Sequence, residues 1–303
     1  MLSLHGVTRN FGDLRALDGV TFDVAPGRMT GFVGGNGAGK TTTMRIILGV
    51  LGAHGGTVTL DGTELDAARR RSFGYMPEER GLYPKMKVVD QLVYLARLHG
   101  IDKAAAVRDS RDLLDRLGLA ERADEPLERL SLGNQQRAQI AAAIVHRPTL
   151  LVLDEPFSGL DPLAVDTVAA VLSEYAAEGV PVLFSSHQLD LVERLCDDLV
   201  IIAGGRIRAS GSREGLRSEY GSTRWELSTA GDTGWVREVP GVTVVDFAAG
   251  SALFEAPDDV AQHVLRSALD RAPVSAFGPV RPTLGEIFRE VIADEPVLEE
   301  AAR

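Results

Sequence analysis

The run Gly34-Gly35-Asn36-Gly37-Ala38-Gly39-Lys40-Thr41-Thr42 sets glycines at 34, 35, 37 and 39 ahead of a lysine and two hydroxyls. Glycines let the backbone aim successive N–H groups inward, which makes a nest for anions. A helix starting behind the nest adds its positive dipole end at the same spot. Lys40 then reaches the β- and γ-phosphates of a nucleoside triphosphate, and the Thr41 hydroxyl ligates Mg²⁺. That chemistry needs a strand before the loop and a helix after it. Met29-Thr30-Gly31-Phe32-Val33 reads as a short buried strand and Thr43 to Leu48 as a helix, so the run reads as a phosphate loop.

Further residues carry chemistry only in company. Leu150-Leu151-Val152-Leu153-Asp154-Glu155-Pro156 is an apolar strand ending in adjacent carboxylates. Asp154 can hold Mg²⁺ and Glu155 can polarise an attacking water; alone, the pair could be a solvated turn. Leu130-Ser131-Leu132-Gly133-Asn134-Gln135-Gln136-Arg137 opens a helix with Ser and Gly, which makes either a second anion site or an ordinary Ser cap. Asp161, in Ser158-Gly159-Leu160-Asp161-Pro162, also reads as a helix cap. Of six histidines, His187 alone follows an apolar strand beside the strand-end acids, as a phosphate contact or a structural residue. Phe11, ahead of Gly12-Asp13, covers a base or packs on the sheet.

The elements that must position these residues alternate. Residues 2–33 read as strands with turns at 10–13 and 25–28. Helical periodicity runs from Val88 to about Gly118, and another helix from about Asn134 to His146, stopping before Pro148. Strands at Leu150–Leu153 and Val180–Phe184 flank a helix at 162–177, and a further apolar run, Leu199–Ile202, ends in the turn 203–206. This α/β alternation predicts a mostly parallel sheet covered on both faces. After about Ser212 the pattern changes to short strands at Trp225–Ser228, Val242–Phe247 and Ala252–Glu255, with helices at 259–270 and 283–293: a small α+β domain. The charged tail after Glu295 is expected to fray.

With 303 residues, the chain is long enough for two domains. Its net charge of −11 argues against a nucleic-acid partner, since counterion release needs clustered Lys and Arg; an acidic surface that aids solubility explains the excess. One cysteine, Cys196, excludes an internal disulfide and reads as buried packing in a reducing compartment. No apolar run approaches the roughly 20 residues that span a bilayer, and Met1 to Asn10 lacks a signal-peptide pattern. Any membrane role is therefore expected to come through a partner chain.

In this order and spacing the motifs closely resemble the nucleotide-binding subunit of ATP-binding cassette (ABC) transporters, over roughly residues 2–212. The resemblance implies a P-loop NTPase core, 1–212, with a helical subdomain at about 84–147, then an accessory domain, 213–295, and the tail, 296–303. It implies ATP and Mg²⁺ as ligands, with residues Gly34 to Thr42 gripping the triphosphate and Phe11 stacking on adenine. Thr41, Asp154 and Glu78 are the implied metal group, Glu155 the general base and His187 the γ-phosphate contact, with Lys40 in the catalytic set. Ser131 and Gly133 would touch nucleotide held by a second copy, so the implied unit is a head-to-tail homodimer. A separate transmembrane permease is the other implied partner, which puts the chain in the cytoplasm at the inner face of the cell membrane.

Three residues, in two motifs, depart from the family pattern. Glu78 stands where a Gln is usual, and Leu132 and Asn134 stand where the signature usually has Gly and Gln. The segment 78–84, the Leu-Gly-Asn-Gln-Gln signature and the ending 281–288 look like the ATPase subunits of bacterial export-type (ABC-2) systems. Two rival classes share parts of this pattern: a soluble ABC ATPase acting on DNA or ribosomes, and a phosphate-loop kinase or nucleotide-dependent switch. The first usually carries two cassettes or a long coiled-coil insertion; of the second, a kinase leaves the 130–137 signature and His187 without jobs, and Glu155 argues against a silent switch.

Overall fold

A computed structural model describes residues 1–79, 81–220, 224–281 and 283–293. Arg80, Pro282 and the expected tail 296–303 lie outside the described residues. The chain divides into two compact units after Arg213.

The first unit begins with strands β1 (Leu2–Phe11), β2 (Leu14–Val24) and β3 (Met29–Val33), followed by helix α1 (Lys40–Ile47). Next come β4 (Gly55–Leu60), β5 (Thr63–Glu64), α2 (Ala67–Arg70) and β6 (Phe73–Met76). A helical stretch follows: α3 (Val88–Leu98), α4 (Lys103–Arg116), short turns at Ala120–Arg122 and Leu127–Arg129, and α5 (Leu132–Ile144). The unit closes with β7 (Leu150–Leu153), α6 (Pro162–Ala177), β8 (Val182–Ser186), α7 (Leu189–Leu195), β9 (Asp198–Ala203) and β10 (Arg206–Ser212).

Two sheets result. The six-stranded one has the order β10-β9-β3-β8-β7-β6, parallel except for the β9–β10 hairpin; the other, β2-β1-β4-β5, is antiparallel. Phe32, Leu150, Val152, Leu183, Val200 and Ile202 point from the first sheet into a core shared with Met44 and Ile47 of α1 and with Leu4, Val20 and Val58 of the second. Residues of the opposite parity, such as Leu151 and Phe184, are buried too, which is why β7 and β8 read as unbroken apolar runs. On that face α5 packs on β6 so closely that a Cβ at Gly74 would lie 2.2 Å from the Ala143 carbonyl oxygen.

Several boundaries differ from the sequence reading, for local reasons. The helical stretch 88–118 is two helices, broken where Gly100 takes φ 85° and where Asp102 caps α4 by accepting from Ala104 and Ala105 N–H groups. Helix α5 starts earlier than Asn134, because Ser131 is its cap and accepts from the Asn134 N–H at 3.3 Å. Helix α6 is as expected, with Asp161 capping and Pro162 at its first position. Cys196 is buried at the end of α7, and burial, above all, pushes its thiol pKa well up.

The second unit begins at its boundary with α8 (Arg213–Tyr220), and continues with β11 (Arg224–Thr229), a 3₁₀ turn at Gly234–Glu238, β12 (Thr243–Ala248), β13 (Ser251–Glu255), α9 (Asp258–Leu269), β14 (Val274–Val280) and α10 (Leu284–Ala293). Its antiparallel order β12-β13-β11-β14 is that of a split βαβ unit whose first crossover is the 3₁₀ turn instead of a helix. Trp225, Leu227 and Phe254 build its core with Ala261 and Val264 of α9. Strand β14 contains Gly278-Pro279, a pairing that reads as a breaker and is tolerated because the strand is an edge.

Two outcomes follow. Gly74→Ala forces β6 and α5 apart and is expected to cost about 1–3 kcal/mol, the usual penalty of overpacking; an unchanged thermal midpoint would contradict this packing. At the ends of α3 and α5 the His99 and His146 rings stack at 3.9 Å, and the His146 pKa falls to about 4, chiefly through burial and then through His99, against the Phe73 carbonyl contact. A histidine depressed in the folded state favours folding above its unfolded pKa and opposes it below. Stability should therefore decline as pH falls from about 6.5 toward 4. His146→Phe should flatten that part of a stability–pH curve; an identical curve would count against the buried neutral stack.

Candidate active site

The parallel register fixes where the chemistry meets. Val33 of β3 pairs with Ser186 of β8, Phe184 of β8 with Leu153 of β7, and Leu153 with Met76 of β6. The carboxyl ends of all four strands thus lie on one edge, β3 and β8 ending level and two residues beyond β7 and β6, and the residues just past them share that edge, where ligands bind in open parallel sheets. There a cavity of about 740 Å³ is lined by Ala16, Gly35, Asn36, Gly37, Ala38, Gly39, Lys40, Thr41, Thr42, Glu78, Asp154, Glu155 and His187.

The loop wraps onto the start of α1. Gly39, its cap, takes φ 110°, a conformation that a side chain would strain, and a Cβ there would lie 2.7 Å from Leu17. Lys40 is buried and donates to the carbonyls of Gly34 at 2.6 Å and Gly35 at 3.1 Å. This folds the ammonium over the loop that carries it.

Across the cavity, buried Asp154 is held on both oxygens. Thr41 Oγ1 donates to Oδ2 at 3.0 Å and Ser185 Oγ donates to Oδ1 at 2.5 Å. Ser185 Oγ also accepts from the Glu155 N–H at 2.8 Å. Glu155 sits at φ 50°, left-handed and directly before a proline, both unfavourable for a non-glycine residue at a cost on the order of 1 kcal/mol or more. Its carboxylate is nearly enclosed, with the side chain 11% exposed, and Oε1 lies 3.0 Å from Nδ1 of His187. Nearby, burial first and the Asp154 charge second raise the Tyr75 phenol pKa, with Arg45 opposing.

Of the residues singled out in the sequence, the cavity unites Gly35 to Thr42, Glu78, Asp154, Glu155 and His187. Gly34 stands behind the lining as an acceptor for Lys40. Phe11 is outside the lining, 46% exposed, with the Arg9 guanidinium 4.9 Å from its ring centre. Ser131 and Gly133 are also outside, on the first turn of α5, where a Cβ at Gly133 would come within 3.3 Å of the Gly159 carbonyl oxygen. The sequence reading missed Ala16, Ser185 and Gln136, whose amide donates to the carbonyls of Glu155 and Pro156. A signal existed for Ser185 and Ser186, two hydroxyls closing an otherwise apolar strand.

The donor set suits a triphosphate with a hard cation: backbone N–H groups and one ammonium for the phosphates, and for the metal a hydroxyl already within 3.0 Å of a carboxylate. Among the described residues no cluster of three His, Cys, Asp or Glu forms a metal site by itself.

The profile of the ABC transporter family matches residues 17–158, and that of the C-terminal domain of DrrA1-3-like ATP-binding proteins matches 211–292. The chain is 38% identical over 293 residues to the ABC transporter ATP-binding protein YhaQ of Bacillus subtilis, covering 96% of this chain and 98% of that one. It is 35% identical over 214 residues to the Nod factor export ATP-binding protein I of Ralstonia nicotianae, 70% of this chain and 67% of that protein. Among solved structures it is similar to an ATP binding subunit of an ABC transporter, with 33% identity and a TM-score of 0.68 over 73% of this chain and 93% of that one.

The Ser185 hydroxyl makes a testable claim on stability. Ser185→Ala strips a partner from a buried carboxylate and a buried N–H at once, and is expected to cost about 1–3 kcal/mol in denaturant unfolding. A wild-type midpoint would mean that the hydroxyl holds neither group.

Proposed function

Because the chain belongs to the ATP-binding proteins of ABC transporters, we propose that it powers export through a separate membrane permease. It is an ATPase of that family, built on the P-loop NTPase fold. The observation that carries the mechanism is the nearly enclosed Glu155 carboxylate, fixed by His187 across the cavity from the phosphate loop.

In this reading Gly34 to Thr42 hold the triphosphate through backbone N–H groups, the Lys40 ammonium and the two hydroxyls. Thr41, Asp154 and Glu78 hold Mg²⁺, which supplies countercharge and polarises the phosphates. Glu155 takes a proton from water as the water oxygen bonds to the γ-phosphorus and the bond to ADP breaks, leaving ADP and phosphate. His187 orients Glu155 and faces the γ-phosphate, and exposed Phe11 stacks on the base. Ser131 and Gly133 serve nucleotide held by a second copy, since they lie outside their own cavity, so the working unit is a head-to-tail dimer.

Export is supported by the relative named for Nod factor export. Among the described residues no helix is long and apolar enough to cross a membrane, so the work is delivered through a permease at the cytoplasmic face, by way of the 78–100 region. Residues 1–212 form the ATPase domain, with 84–147 as its helical subdomain, and 213–295 an accessory domain that braces the dimer or regulates it. The acidic balance fits no nucleic-acid surface.

Phosphate release and light scattering test this together. Glu155→Gln should lower hydrolysis by about 10²-fold or more and should dimerise only with Mg-ATP. Wild type hydrolysing no faster than this variant would sink the mechanism.

A further inference from the structure

Glu155 is held in its left-handed conformation by side chains from two other elements. On its amino side the N–H donates to Ser185 Oγ of β8 at 2.8 Å. On its carbonyl side the side chain of Gln136 of α5 donates through Nε2 to the Glu155 oxygen at 3.0 Å, where the Ser158 N–H of the same turn also donates at 3.2 Å, and to the Pro156 oxygen at 3.1 Å. Two carbonyl acceptors require the NH₂ end of the amide, so the orientation of Gln136 is set by chemistry. The side chain is buried, where an unpartnered amide would be costly.

The same helix begins at Ser131, about 7.5 Å along its axis from Gln136 at the usual rise per residue. Its first turn abuts the turn after the carboxylates, at Gly159. Close packing of Ala143 on Gly74 seats its other end on β6. A helix seated in this way moves as a body.

We infer that Gln136 is a positioning residue for hydrolysis: it fixes the main chain that carries Glu155 and ties it to the Ser131 end of α5. A shift of that end, where a second copy's nucleotide would bind, then reaches the base in the same chain through two hydrogen bonds. The inference rests on the reading of Glu155 as general base.

The test uses the full chain and the near-isosteric variant Gln136→Met, which keeps the packing volume and lacks the donors. Displacing a catalytic group by a fraction of an ångström to an ångström costs about 10- to 100-fold in turnover. The expected result is such a fall in kcat, with KM and the affinity for ATP each changed by less than about threefold on the same grounds. Adding Gln136→Met to Glu155→Gln should change the residual single-turnover rate by less than about twofold, because residues acting as one unit are not additive. Should Gln136→Met not fold, Gln136→Leu also removes the donors with a smaller apolar side chain, and the same comparison applies.

Turnover of the Gln136 variant near wild type, with Glu155→Gln inactive, would overturn the positioning role and leave the base standing. An equal fall in both backgrounds would also overturn it, as a general structural effect. Wild-type turnover in Glu155→Gln would overturn the base reading and the inference with it.

Discussion

The site depends on strand register. Pairing of Val33 with Ser186, Phe184 with Leu153, and Leu153 with Met76 makes four parallel strands end on one edge, β3 and β8 two residues beyond β7 and β6. A slip of one residue in any pair would turn that strand's buried set to the opposite face. It would also move the phosphate loop, the two acids or His187 by a full residue, farther than any hydrogen bond in the site tolerates. The register is secured by burial on both faces: residues of either parity in β7 and β8 are inaccessible to water, so no slipped pairing is neutral. The apolar strands are thus the measuring rod for the chemistry at their ends.

Charge sets the second constraint. The cavity carries Glu78, Asp154 and Glu155 against Lys40, and its natural occupant is a polyanion. Bare Coulomb repulsion would exclude that occupant, so the favourable terms must be local: N–H groups of the loop, the dipole of α1, the ammonium and a cation that arrives with the phosphates. Asp154 is kept in place by two hydroxyls, which hold a carboxylate without neutralising it. A lysine partner there would have spent the charge that a cation needs. Glu78 adds a negative group where the resembled family usually has an amide, and on the proposed reading it would make the cation more necessary to this cavity than a Gln would.

Residues whose role is local were legible in the sequence. The phosphate loop, the Asp161-Pro162 start of α6 and the apolar strands announce themselves through backbone needs confined to a few residues. What was not legible depends on long-range approach. Ser185 acts on residues 154 and 155, and Gln136 on 155 and 156, across separations that no local pattern encodes. The break at Gly100 was hidden because apolar periodicity continues on both sides of it. Strand β14 was hidden by its proline, whose missing N–H matters only if the strand is internal to the sheet, a fact of topology.

The division of the signature from the cavity gives α5 its meaning. Ser131 caps the helix and lies outside the cavity of the chain's own phosphate loop, while about one and a half turns on, Gln136 grips the peptide of Glu155. Glu155 occupies a backbone state that neither its side chain nor the following proline favours, so its position depends on external restraint more than that of an ordinary loop residue does. Restraint from β8 is fixed by the sheet; restraint from α5 moves with the helix. On the proposed reading, a strained residue clamped between one rigid and one movable element is a natural place for an outside contact to switch chemistry on, because a small displacement of the helix would alter the proposed base ahead of Asp154 or the loop. On this argument the conformation of Glu155 is the variable that a second copy would control, and phosphate binding is the constant.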